Sequence, residues 1–122
     1  MTAKPITHAL KAVDAPALSR IAQLNDTFRR TGRGGVMFAT AGVIALAPDA
    51  LPAVLALVRA FDAFTPDTDP HGEHDFGVVE IGGERVFWKV DYYDAEQRYA
   101  SPDPSDPSVT TRVLTVMLAT EY

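Results

Sequence analysis

The sequence predicts an α+β fold: an antiparallel sheet of three to four strands with a central β-hairpin, and two to three helices packed on one face. Three observations lead there. Gly82-Gly83 sits between two runs rich in strand-forming residues, several other segments carry apolar residues at helical spacing, and the elements read in the order α-β-α-β-β-α.

The first helix is expected from about Ala15 to Thr31. Leu18, Ile21, Leu24 and Phe28 repeat at helical spacing behind Asp14 as N-cap and Pro16 in the first turn, and Gly32 stops it. Val36 to Thr40 is a short apolar run that fits a buried strand. Val43 to Leu46 either continues it past a bend at Gly42 or forms a second strand. Asp49 caps a second helix to about Ala63, with Leu51, Val54, Leu55, Val58, Phe61 and Phe64 as its stripe. Thr65 to Gly72 breaks all periodicity and reads as a loop.

If Gly82-Gly83 is a two-residue turn, the strands on either side pair in one register. Val79 then opposes Val86, and Gly77 opposes Trp88, where the missing side chain leaves room for the indole. Together with Ile81 and Val90 these form the core face. On the other face Glu80 opposes Arg85, Val78 opposes Phe87, Phe76 opposes Lys89 and His74 opposes Asp91. After a proline-rich loop, Asp106 and Pro107 are expected to open a last helix through Glu121, carrying Val109, Val113, Val116, Met117 and Thr120.

The chain has 122 residues, enough for one domain that buries roughly two thirds of its unfolded surface. The first fourteen residues read as a flexible arm. No apolar run approaches the ~20 residues of a membrane span, and Met1 to Pro5 lacks the apolar core of a secretion signal. A cytoplasmic protein without membrane contact is the expectation. The absence of cysteine excludes disulfides, thiolate zinc sites, iron-sulfur clusters and a cysteine nucleophile. With a net charge of -5, direct nucleic-acid binding is not expected, since that binding rests on neutralising phosphates. The acids lie in two stretches: Asp62, Asp67, Asp69, Glu73 and Asp75, then Asp91, Asp94, Glu96, Asp103 and Asp106 with only Arg98 among them.

The segment from Asp67 to Asp75 is the densest in chemistry, with two imidazoles and four carboxylates. A calcium loop fits poorly, because His71 and Val78 stand where ligands five and twelve belong. A transition-metal site would use His71, His74 and Asp91, with Glu73 or Asp75 as general base. His74 beside Asp91 has the form of a general base, yet no activated nucleophile accompanies it. The plainer reading, which we prefer, is that these side chains cap turns and that His74 and Asp91 hold the loop. Thr31 to Gly35 resembles a phosphate loop only superficially, since it follows a helix and lacks the Gly-Lys-Ser/Thr ending. Arg29, Arg30 and Arg33 could meet an anion, but cations complement a helix C-terminus. Phe87, Lys89, Asp91 and Tyr93 share the open face of the hairpin, a mixture that suits a protein-binding surface.

Ile21-Ala-x-Leu24-Asn25-Asp26-x-Phe28-Arg29, Gly72-Glu73-His74-Asp75-Phe76-Gly77, Trp88-Lys89-Val90-Asp91-Tyr92-Tyr93-Asp94 and the closing Thr111 to Tyr122 segment together resemble the uncharacterised domain of unknown function family 3768. The resemblance implies a small protein of alphaproteobacteria, often encoded on plasmids and other mobile elements. It carries over no activity and no catalytic residue. The expected function is therefore non-enzymatic binding of a protein partner, with no cofactor. Its narrower form is an acidic anti-defence factor, anti-CRISPR or anti-restriction, whose carboxylates imitate a phosphate backbone in a nucleic-acid-binding defence complex. The expected binding surface is Asp67, Asp69, Glu73, His74, Asp75, Phe87, Lys89, Asp91, Tyr93 and Asp94; the alternative is a small metal-dependent enzyme built on His71, His74 and Asp91.

Overall fold

A computed structural model describes residues 18–122. The expected N-terminal arm, the Asp14 cap and Pro16 lie outside the described residues. Helix α1 spans Arg20–Thr31, and Ser19 is its N-cap, accepting from Ala22 N at 3.0 Å. Gly32 closes it at φ 76, its N–H donating to Phe28 O. Strand β1 follows at Gly35–Ala39.

Val43 to Leu46 is neither a bend nor a second strand. Ala41–Ile44 forms the one-turn helix α2, because the Glu121 carboxylate accepts from Gly42 N at 3.1 Å and from Thr40 Oγ1 at 2.6 Å. That contact spans about eighty residues of chain and anchors the start of the turn. Helix α3 spans Ala50–Ala60 and ends three residues before the expected Ala63. Asp49 makes no side-chain cap bond there. Ala50, Val54 and Val58 are its buried positions.

The hairpin forms in the expected register. Strand β2 (Phe76–Ile81) pairs antiparallel with β3 (Glu84–Tyr93), with Val79 opposite Val86 and Gly77 opposite Trp88. Gly82 and Gly83 have φ of 56 and 81, the positive values that a tight two-residue turn of the right twist requires. At Gly77 a Cβ would lie 2.7 Å from Trp88 Cε2, so the absent side chain is what admits the fully buried indole.

The expected C-terminal helix is a strand. Asp106 and Pro107 open only a 3-10 turn, Pro107–Val109, with Asp106 accepting from Ser108 N at 2.9 Å. Strand β4, Thr111–Leu118, then pairs antiparallel with β3 and parallel with β1. The sheet is thus mixed, in the order β1-β4-β3-β2. Residues of β4 are buried on both faces, as suits a central strand rich in Val, Leu, Thr and Met.

Val79, Val86, Trp88, Val90, Leu114 and Val116 cover one face of the sheet and pack against Phe28 of α1, Val43 of α2, and Val54 and Val58 of α3. Residues of opposite parity point to the other face. There stand Val36 and Phe38, Phe76, Val78 and Glu80, Arg85, Phe87, Lys89, Asp91 and Tyr93, and Thr111 to Met117 in alternation. No described helix packs on that face.

Candidate functional site

The segments singled out in the sequence converge, but most of their polar side chains turn inward. On α1 the positions Ala22, Asn25, Asp26, Phe28 and Arg29 are buried at helical spacing, so three polar side chains share the core-facing stripe with Ala22 and Phe28. Leu18, expected in an apolar stripe, is 48% exposed. Arg29 is fully buried and does not complement its own helix end. Its Nη1 donates to the carbonyls of Val58 at 2.7 Å, Arg59 at 3.2 Å and Phe61 at 3.0 Å, which closes the C-terminus of α3. Its Nη2 donates to Asp26 Oδ1 at 2.8 Å, and the guanidinium lies 5.2 Å from the Trp88 ring and 5.5 Å from that of Phe64.

His74 does not meet Asp91. It adopts φ 57, which turns the chain out of strand geometry one residue before the short link at Asp75. The Asp69 carboxylate accepts the N–H groups of Glu73 at 3.0 Å and His74 at 3.2 Å, and so holds that conformation. The His74 ring stacks on Phe64 at 3.9 Å, and its Nδ1 lies 3.0 Å from Asp26 Oδ1. An imidazole held by a carboxylate retains the form of a general base. Here the carboxylate is also bound to Arg29, and the imidazole is packed against an aromatic ring, so both groups serve to join the loop to α1.

A second branch joins α1 to the sheet. Asn25 Nδ2 donates to Glu73 O at 3.0 Å and to Tyr92 OH at 2.8 Å; the Tyr92 hydroxyl donates to Glu73 Oε1 at 2.8 Å. Arg112 Nε donates to Asn25 Oδ1 at 2.7 Å, and its Nη2 reaches Pro104 O. Burial pushes the Tyr92 hydroxyl well above its ordinary range, and the Glu73 bond adds to that shift while Asn25 opposes it.

The open face carries different chemistry. Lys89 Nζ donates to Asp91 Oδ2 at 2.6 Å, and both side chains are 36% exposed. That bond raises the Lys89 ammonium above its ordinary range against the effect of burial. Burial raises the Asp75 carboxyl, and the charge of Glu73 adds to it. Phe76, Phe87 and Tyr122 form an aromatic group, with Tyr122 centred 5.3 Å from Phe87 and 6.1 Å from Phe76. A cleft of about 370 Å³ opens here, lined among others by His71, Asp75, Phe76, Lys89, Asp91 and Tyr122. This cleft is the candidate site.

The expected binding surface is therefore divided. Asp75, Phe87, Lys89, Asp91 and Tyr93 lie on or beside the open face. Asp69 is buried and caps its own loop, and Glu73 and His74 are tied into the inner network, so these three are withdrawn from it. Asp67 is exposed. Asp94 accepts from Arg98 N at 2.8 Å, a bond four residues along its own loop that leaves its charge at the surface. His71, His74 and Asp91 are not gathered: the first and last line the open-face cleft, while His74 bonds Asp26. Among the described residues no group of three or more His, Asp or Glu side chains is placed to hold a metal ion.

Sequence reasoning missed Asp26 as the partner of His74, Arg29 as the group that closes α3, Arg112 as the partner of Asn25, and Tyr122 as part of the cleft. The signal for the first pair was present as Asp26 and Arg29 at i, i+3 on one helix. Tyr122 gave none, because its place depends on β4 being a strand.

No curated protein and no solved structure matches this chain. Residues 39–121 match the family described as a protein of unknown function, DUF3768, and with more than half of its length so matched the chain belongs to that family.

Proposed function

We propose that this chain is a small non-enzymatic protein that binds another macromolecule, and that it acts as an acidic anti-defence (anti-CRISPR or anti-restriction) or accessory factor of mobile elements. The mobile-element part rests on the family resemblance. One observation carries the binding mode: the sheet register brings both acidic stretches to the same end of the sheet. The loop before β2 enters beside Lys89, near the close of β3, and the loop from Asp94 to Thr110 joins the end of β3 to the start of β4. Asp67, Asp75, Asp94, Glu96 and Asp103 thus share one region, with Arg98 as the base among them. A surface with acids in such excess attracts a basic nucleic-acid channel over several ångströms and speeds encounter.

The test is binding to a purified RNA-guided nuclease and to a restriction endonuclease at salt from 50 to 300 mM. Affinity is expected to fall steadily with salt, to fall again when Asp67, Asp94 and Asp103 are changed to Asn, and to compete with DNA. Binding that ignores both salt and these substitutions would overturn the proposal.

A further inference from the structure

We infer that the open-face cleft receives a guanidinium group, carried on an arginine side chain of a basic protein partner. This deepens the function proposed above and rests on it for the existence of such a partner. A guanidinium is planar, weakly hydrated and always charged; it seeks carboxylate oxygens in its plane and an aromatic ring against its face. The cleft offers both. Asp91 gives Oδ2 to Lys89, while its Oδ1 bonds no described residue. The Asp75 carboxyl bonds no other described side chain. Beside them Tyr122, 74% exposed, presents its ring at the edge of the aromatic group.

The same aromatic group already holds a guanidinium at its other end, where Arg85 Cζ lies 5.7 Å from the Phe87 centroid. The charge balance selects the sign of the guest. Asp75 and Asp91 outweigh the single ammonium of Lys89, so an anion meets net repulsion, and an aliphatic guest leaves carboxylates desolvated without a partner. Lysine is the weaker cation here. It is a strongly hydrated point charge that competes with Lys89 for the same oxygens and gains less from stacking.

The probe is N-acetyl-arginine amide, titrated into the full chain and followed by NMR at Phe76, Lys89, Asp91 and Tyr122, with N-acetyl-lysine amide as comparison. Saturable shifts confined to these residues are expected, with the lysine compound about threefold weaker or more. Asp91→Asn and Tyr122→Ala each lower the arginine affinity about three- to tenfold. Glu84→Gln, exposed at the turn end of the hairpin and outside the cleft, leaves it unchanged. Unsaturable or scattered shifts, equal affinity for the two compounds, or indifference to Tyr122→Ala overturns the inference. Failure of the arginine probe beside salt-sensitive partner binding removes the cleft assignment alone. Arginine binding beside salt-insensitive partner binding removes the wider proposal instead.

Discussion

Replacing Arg29 by Met removes the group on which α1, α3 and the His74 loop all converge. Two things are lost together. The last carbonyls of α3, at Val58, Arg59 and Phe61, lose a charged donor, and such hydrogen bonds contribute about 1.5–3 kcal/mol each in favourable cases. Asp26, whose side chain is 11% exposed, keeps only His74 as a partner. Removing one member of a buried pair costs about 3–5 kcal/mol. These effects overlap, because they describe one desolvated charge, and Met recovers part of the stem packing against Phe64 and Trp88. The Nε of Arg29 is itself buried without a partner, so its removal returns a little. The expected loss is about 3–5 kcal/mol, a large fraction of the ~5–15 kcal/mol that a domain possesses. The assay is urea unfolding, with the change read from the midpoint at constant slope. Two companions keep the reasoning testable if Arg29→Met does not fold. Arg29→Lys retains the charge but reaches either Asp26 or the carbonyls, and should lose about 1.5–3 kcal/mol. Asp26→Asn combined with Arg29→Met should be more stable than Arg29→Met alone, since the orphaned charge is gone. A loss below about 1 kcal/mol for Arg29→Met refutes the assignment of Arg29 as the common anchor.

Two further outcomes follow from the sheet and the cleft. Gly77→Ala should cost about 1–3 kcal/mol in the same unfolding assay, because the new methyl collides with the Trp88 indole; adding Trp88→Phe should recover part of it, and a neutral Gly77→Ala would falsify the close packing. Asp75→Asn should raise the melting temperature at pH 7: burial lifts the folded carboxyl above its unfolded value, so the folded state holds the proton more tightly and stability falls as pH rises through that window. The gain should vanish below about pH 3.8, where both states are protonated, and a gain that persists there would point to packing as its cause.

The hairpin was legible because its evidence is local. Period-two pairs around Gly82-Gly83 determine every partner from Phe76 to Lys89, including the glycine that admits Trp88. Two other regions were not. Strand β4 is central and buried on both faces, so it shows no alternation, and Val109, Val113 and Val116 imitate a helical stripe behind a genuine Asp106-Pro107 cap. Its β-branched content was the better guide. On α1 the buried face holds Asn25, Asp26 and Arg29 beside Ala22 and Phe28, and hydropathy reads the three polar ones as solvent-facing. The spacing was helical and the polarity inverted, a pattern that makes sense only once Glu73, His74, Tyr92 and Arg112 arrive from elsewhere in the chain. The His74 and Asp91 pairing failed for the same reason. Asp69 and Asp26 together turn His74 away from the strand it precedes.

What the fold needs can be separated from what it does not. Asn25, Asp26, Arg29, Glu73, His74, Tyr92 and Arg112 are partnered inside, and removing any one takes a partner from a buried or part-buried polar group. Their presence in the sequence is explained by folding. Lys89 and Asp91 are not explained that way: a pair so exposed contributes about 0–1 kcal/mol, and any two polar residues would serve on that face. Tyr122 is largely exposed, and an exposed aromatic ring gains little from water. Asp75 carries a carboxyl in a setting that disfavours its charge. The residues with the weakest structural reason to be there line a single cleft, at the acidic end of the sheet and on the face that no described helix covers. That coincidence is what supports the binding role proposed for the cleft.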